Sequence, residues 1–444
     1  MLTPNLRRRV VWAVTVALLL PGAAGPAVTS LARAAAAPQP AVQSAVDRTA
    51  EGLSAALTPM LRARAEAFRR HDVAGYLATV DPRDKAFLAR QRAQVTNARE
   101  IDFATYTLRP DLVDIADLSR SRDRQKFGPD TVLIPVEETH AIAGGYDEGS
   151  PEVEGLFLTV TRDRSGKWLV AADDGADDIG LQSARHAWDF APLRTRTSEH
   201  FIAFFPDSRA GDAPKVLSEA EAAFDRVEPV WTRPWKKKVV IELPRNADDL
   251  GKRILATFPL DNFVAFAASS VVQENLRLRF SGSRVLINPA NFLGNDTETR
   301  RRILAHELIH VASRESSGAY FTAWFEEGVA QVLGEGSSAV GLAPIQEAVR
   351  KGQFSGRLPE DFEFLVGGGQ RIFRSYAEAF LLARTVERMA GKAGLVRFYA
   401  EAGDGGALGP GTSRHRIDLA SRRALGVSLA ELERRWAAEV RAEF

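Results

Sequence analysis

The stretch from Arg300 to Gly334, RRRILAHELIHVASRESSGAYFTAWFEEGVAQVLG, constrains the chain more than any other. It contains H-E-x-x-H at positions 306–310. On a helix, His306 and His310 are four residues apart and share one face. Two imidazoles one turn apart can reach a single ion, an arrangement that suits Zn²⁺. Glu307 is rotated from His306 by about 100°. It stands outside the ligand pair yet can reach a water beside the ion, the position of a general base.

The flanking sequence predicts a helix. Asn295 and Glu298 read as an N-cap and its return partner, with Asp296 as a rival cap. Ile303, Leu304, Leu308, Val311 and Ala312 place apolar groups on more than one side, as in a buried helix. Ser316-Ser317-Gly318 stops it. A second apolar segment runs from Thr322 to Leu333 and ends at Gly334. A short turn makes the two helices antiparallel neighbours, so a carboxylate near the start of the second can face the histidines. Spacing leaves Glu326 and Glu327 both open, and a His₂Glu set leaves a fourth position for water. The competing reading is a buried helix with two satisfied histidines and a surface glutamate.

HELIH followed by WFEEGVAQ resembles the gluzincin metallopeptidases, in particular the peptidase MA-like domains of exported bacterial proteins. Their pattern is H-E-x-x-H, then W-[LF]-x-E-G-x-A on the next helix. The resemblance runs from about Asp189 to the C-terminus. It implies Zn²⁺ as cofactor, Glu327, before Gly328, as third ligand, and a peptide or protein substrate. It also implies a mixed sheet ahead of the metal helices. Tyr376, in Arg374-Ser375-Tyr376-Ala377, resembles the Tyr that follows the ligand helices and donates to the developing oxyanion. Tyr320, in the turn between the helices, and His415, in a late Gly-rich loop, are its rivals. A packing role for Tyr376 is the alternative.

The remaining composition narrows the class. The 444 residues suggest two or three domains, and a 45% apolar content can bury a sizeable core. A net charge of +1 without a long basic run gives no sign of a nucleic-acid or membrane-surface partner. There is no cysteine, which excludes disulfides and a thiol nucleophile.

Arg7-Arg8-Arg9, the apolar run Val10 to Leu20, Pro21-Gly22 and the Ala-rich sequence to Ala37 have the anatomy of a secretory signal, here residues 1–36. Ala32-Arg33-Ala34 is one cleavage option. The run is too short to span a bilayer, so no stable membrane insertion is expected once it is removed. An uncleaved anchor is the alternative. A Pro/Ala linker, 37–45, follows.

A first domain is expected over 46–188. A helix from Val46 to Arg70 puts Leu53, Leu57, Leu61, Ala65 and Phe68 on one face. Short helices over Val73–Val80 and Lys85–Asn97 follow. Strands are expected at 101–103, 132–136, 156–161 and 167–172, the last two joined by the turn Asp163-Arg164-Ser165-Gly166. Helices before an antiparallel sheet indicate an α+β unit. Its order resembles the cone-shaped nuclear-transport-factor-like fold, with Trp168 on the closing strand. His71, His140 and His186 read as structural or surface residues. Asp173-Asp174 and Asp177-Asp178 read as a solvated acidic loop.

The second unit, 189–444, is expected to have strands at 201–205, 239–243, 263–272 and 284–287, and a helix over 214–231. After the metal pair come a Gly367-Gly368-Gly369 loop, a helix over 375–389, a Gly-rich loop over 403–413 and a helix over 428–444. The sequence thus predicts an α+β protein: an exported zinc metallopeptidase with His306, His310 and Glu327 as ligands and Glu307 and Tyr376 in catalysis. Two other readings compete. One is a zinc-binding adaptor without hydrolysis. The other is a zinc hydrolase of a non-peptide amide or ester.

Overall fold

A computed structural model describes residues 10–18, 40–111, 121–145, 150–256, 260–261, 263–274, 277–318, 321–336, 341–364, 368–403 and 412–444, with the backbone path alone for 10–18 and 40–49. The chain is α+β. It begins with β1 (Val10–Leu18), α1 (Pro40–Arg69), α2 (Val73–Leu77), α3 (Lys85–Asn97), β2 (Phe103–Pro110), α4 (Ser121–Phe127), β3 (Val132–Ile142), β4 (Glu152–Arg162) and β5 (Trp168–Ala172). Asp72 and Asp84 start α2 and α3 by accepting from the amides of Gly75 and Phe87. Strands β2 to β5 form an antiparallel sheet in chain order. Asp163 Oδ1 accepts from the amides of Ser165 and Lys167 and closes the β4–β5 hairpin at the expected turn. The α1 stripe packs on this sheet, with Leu57, Leu61, Ala65 and Phe68 buried and Leu53 partly so.

The chain continues through α5 (Ala187–Phe190), β6 (Leu193–Thr197), β7 (Phe201–Pro206), α6 (Ala213–Val227), β8 (Val239–Glu242), α7 (Ala247–Arg253), β9 (Phe263–Glu274), β10 (Arg277–Ile287), α8 (Pro289–Phe292), α9 (Thr297–Ser313) and α10 (Ala323–Ala330). The end of the chain is helical: α11 (Ala343–Arg350), α12 (Gly368–Gly403), α13 (Ser413–Leu425) and α14 (Leu429–Glu443). The second sheet is mixed, in the order β1-β9-β10-β8-β7-β6, with β10–β8 and β8–β7 parallel.

Strand β7 shows why this sheet reads as continuous apolar sequence. Phe201, Ala203 and Phe205 face the core under α6, while Ile202 and Phe204 face the N-terminal core. Both faces are covered, so the period of two sorts residues between two cores rather than between core and water. Leu193 and Val240 join Ile202 and Phe204 in the N-terminal core, which therefore spans both sheets.

Several boundaries differ from expectation. The linker expected up to Ala45 is helical from Pro40 onward, and Pro in a first helical turn loses no hydrogen bond. Residues 35–39 and the cleavage option at 32–34 lie outside the described residues. The apolar run expected to be a leader follows an extended path over 10–18, antiparallel to β9, from Val10↔Val272 to Ala17↔Ala265. The expected Gly-rich loop at 367–369 has Gly368 and Gly369 inside α12, with Gly367 outside the described residues. The helix expected to end at Met389 bends there: Gly391, at φ 69°, kinks α12 before it runs on to Gly403. In α14, Ser428 accepts from the Glu431 amide, and Leu429, Leu432, Trp436 and Val440 are buried as one stripe. No described helix is long and apolar enough to cross a membrane.

Candidate metal centre

Helix α9 starts at Asp296 rather than Asn295. The Asp296 carboxylate accepts from the Thr299 amide at 2.9 Å and from its hydroxyl at 2.6 Å. Asn295 turns its amide back to the carbonyls of Asn291 and Phe292, and Glu298 pairs with Arg226 of α6. Arg300 then ties α9 to α6 through two 2.7 Å bonds to Glu219. From Ile303 to Ser313 every residue is buried. The helix lies on β9 and β10, which explains its lack of a polar face.

After Thr322 the chain forms α10, and beyond Ala330 it widens into a π turn over Gln331–Glu335. Two glycines allow the close approaches. A Cβ on Gly328 would lie 2.4 Å from the Ala379 carbonyl oxygen of α12, and one on Gly334 would lie 2.8 Å from the His306 Cα. The backbone after the ligand helix thus rests directly on α9.

His306, His310 and Glu327 each offer one ligand atom, and these atoms lie within 4.8 Å of one another. His306 Nε2 is 3.2 Å from Glu327 Oε2 and 3.1 Å from His310 Nε2. His310 Nε2 is 3.6 Å from the same carboxylate oxygen. Spacing left two carboxylates open; the geometry brings Glu327 to the histidines, while Glu326 accepts from Arg314 at 3.1 Å.

The centre contains a residue that the sequence does not announce. Glu335 Oε1 lies 2.6 Å from His306 Nδ1. An Nδ1–H donated to this carboxylate leaves Nε2 free to face the ligand point. Glu335 is eight residues after Glu327, which in a regular helix leaves it about 80° out of phase. The wider π turn absorbs most of that offset, so both carboxylates face α9.

Glu307 is fully buried, and neither of its carboxylate oxygens has a hydrogen-bond partner. Burial, opposed by His306 and reinforced by Glu327, pushes the Glu307 carboxyl up to about 8, and the nearby Ala267 amide of β9 favours its charged form. Burial lowers His310 to about 4 despite Glu327. Burial also opposes charge on His306, but Glu327 and Glu335 outweigh it and hold that imidazole well above its usual range. The donor set and the oriented imidazole could hold a metal ion.

Tyr376, on α12, is buried with its ring 5.1 Å from Phe364. Burial, and then the charges of Glu327, Glu307 and Glu335, raise its hydroxyl well above the ordinary tyrosine value. It thus stands within electrostatic reach of the centre. His415 is exposed on the first turn of α13, where its amide donates to Thr412, and the structure does not bring it to the centre. Tyr320 lies outside the described residues.

Among the other histidines, His71 stands apart, while His140 and His186 meet Glu152 in a second buried cluster. Nothing local in the sequence signals that meeting. The acidic loop is neutralised by arginines: Asp173 pairs with Arg185 and Arg90, and Asp178 with Arg122. Compared with models of known families and with curated proteins, the chain matches none.

Proposed function

We propose that the protein is an exported zinc metallopeptidase. The observation that carries this reading is the convergence of His306, His310 and Glu327 beside Glu307, a fully buried carboxyl with two unpartnered oxygens. The resemblance of HELIH and WFEEGVAQ to gluzincins supports it.

An ion held by His306, His310 and Glu327 supplies Lewis acidity toward a carbonyl oxygen and acidifies a water. Glu335 holds His306 in the orientation that binding requires. Glu307 takes the proton from water as the water oxygen bonds to the carbonyl carbon. As the carbon–nitrogen bond breaks, Glu307 passes that proton to the departing amine. Tyr376 is the proposed donor to the oxygen that gains negative charge.

The sheet edge favours a peptide as substrate. The free side of β9 is covered by residues 10–18, and Thr15 lies opposite Ala267, the residue whose amide is near Glu307. Strand β1 also lies against α9. Removal of a leader that includes these residues would open an edge on which an extended chain can add by backbone pairing, passing Glu307. The decisive experiment is digestion of unfolded protein substrates by the processed chain, with and without a strong chelator. Cleavage that stops with the chelator and returns with one equivalent of zinc is expected. Cleavage indifferent to the chelator contradicts the reading.

A further inference from the structure

We propose that His140, Glu152 and His186 hold a second divalent metal ion of the zinc type, which staples the N-terminal sheet to the sheet carrying the metal centre. The three residues each offer a ligand atom within 4.8 Å of the others, and all are buried. They come from β3, from the start of β4 and from the segment just before α5. Two imidazoles and a carboxylate form a donor set that prefers zinc over calcium or magnesium.

The surroundings resemble a ligand shell more than a hydrogen-bonded core. Glu138 Oε1 lies 3.3 Å from His140 Nδ1 and 2.8 Å from His186 Nε2. Both are ion-pair contacts, but poorly aligned as hydrogen bonds, so Glu138 Oε1, His140 Nδ1 and both His186 ring nitrogens lack well-directed partners. Buried polar atoms are otherwise almost always paired. His140 Nε2 faces Glu152 Oε2 at 3.2 Å, with Glu138 on the other side of the ring.

Charge points the same way. Glu152 is held by Arg253 at 2.6 Å and Arg284 at 2.7 Å, and these arginines also contact Glu154 and Glu242. Three buried carboxylates, Glu152, Glu154 and Glu242, share these two guanidiniums, while the partners of Glu138 are the two imidazoles. Because Arg253 closes α7 and Arg284 lies in β10, the ion acts across the contact between the two sheets.

The test is zinc stoichiometry of the full chain by elemental analysis after zinc loading and dialysis at pH 8. Wild type is expected to hold two equivalents. The His306→Ala/His310→Ala variant, with the second cluster intact, is expected to keep one. Adding His140→Gln and His186→Gln should remove it. No retained ion in the His306→Ala/His310→Ala variant, or one that survives the added substitutions, overturns the proposal and leaves the cluster as a proton-bearing network. Because the count needs no substrate, it stands apart from whether the first centre hydrolyses peptides.

Discussion

Glu335 Oε1 lies 2.6 Å from His306 Nδ1, and a π turn places it there. A carboxylate behind a ligand imidazole sets both ring orientation and basicity. Glu335→Ala should weaken zinc binding about 10- to 100-fold in a chelator competition, the usual cost of losing the group that orients a ligand. Glu335→Gln, which still accepts a hydrogen bond, should lose less. Equal affinity in wild type and Glu335→Ala would remove Glu335 from the account.

The choice between adjacent glutamates is open to the same measurement. Glu327→Ala should lose the ion at this centre. Glu326→Ala should keep it, because Glu326 faces Arg314. Its cost should appear as a lower melting temperature, as a buried ion pair loses one member. Retention by Glu327→Ala with loss in Glu326→Ala would reverse the assignment.

The metal-free protein should reveal Glu307 by its pH dependence. Burial pushes this carboxyl up to about 8, so the folded state holds a proton that the unfolded chain releases near the ordinary carboxylate value. The linked stability is full at low pH and is lost as pH rises through about 8. Glu307→Gln carries no titrating group. Its stability advantage over wild type in urea unfolding should therefore grow between about pH 5 and pH 8, by about 1.4 kcal/mol per pH unit. A constant difference would show that Glu307 is not raised.

Tyr376→Phe keeps the buried ring and removes only the hydroxyl. Zinc content and folding should stay unchanged, while kcat falls roughly 10²- to 10³-fold with little change in KM. A normal kcat would return Tyr376 to a packing role against Phe364.

What was legible in the sequence was mostly local. The i, i+4 histidines and the apolar stripe of α14 follow from helix period alone. Capping was half legible: Asn295 and Asp296 are both good caps, and the Thr299 amide bond to Asp296, with Asn295 turned to the preceding turn, decides for Asp296. Glu335 was not legible, because a π turn changes the phase on which helical reading depends. The meeting of His140 with His186 was not legible either, since it depends on how β3 packs with the segment before α5, 46 positions away in the chain. Tyr376 as a candidate donor rests on the resemblance, because nothing in its own neighbourhood distinguishes it from a packing tyrosine on a long helix.

The central claim is that Glu307 moves the proton in peptide hydrolysis. It is tested most directly by one comparison: zinc-loaded wild type and zinc-loaded Glu307→Gln, both as the processed chain, each incubated with a broad peptide library and read by mass spectrometry. Wild type should cleave, and Glu307→Gln should bind the same zinc yet produce no products above background. A variant that cleaves at the wild-type rate, or a zinc-replete wild type that cleaves nothing, would contradict the claim.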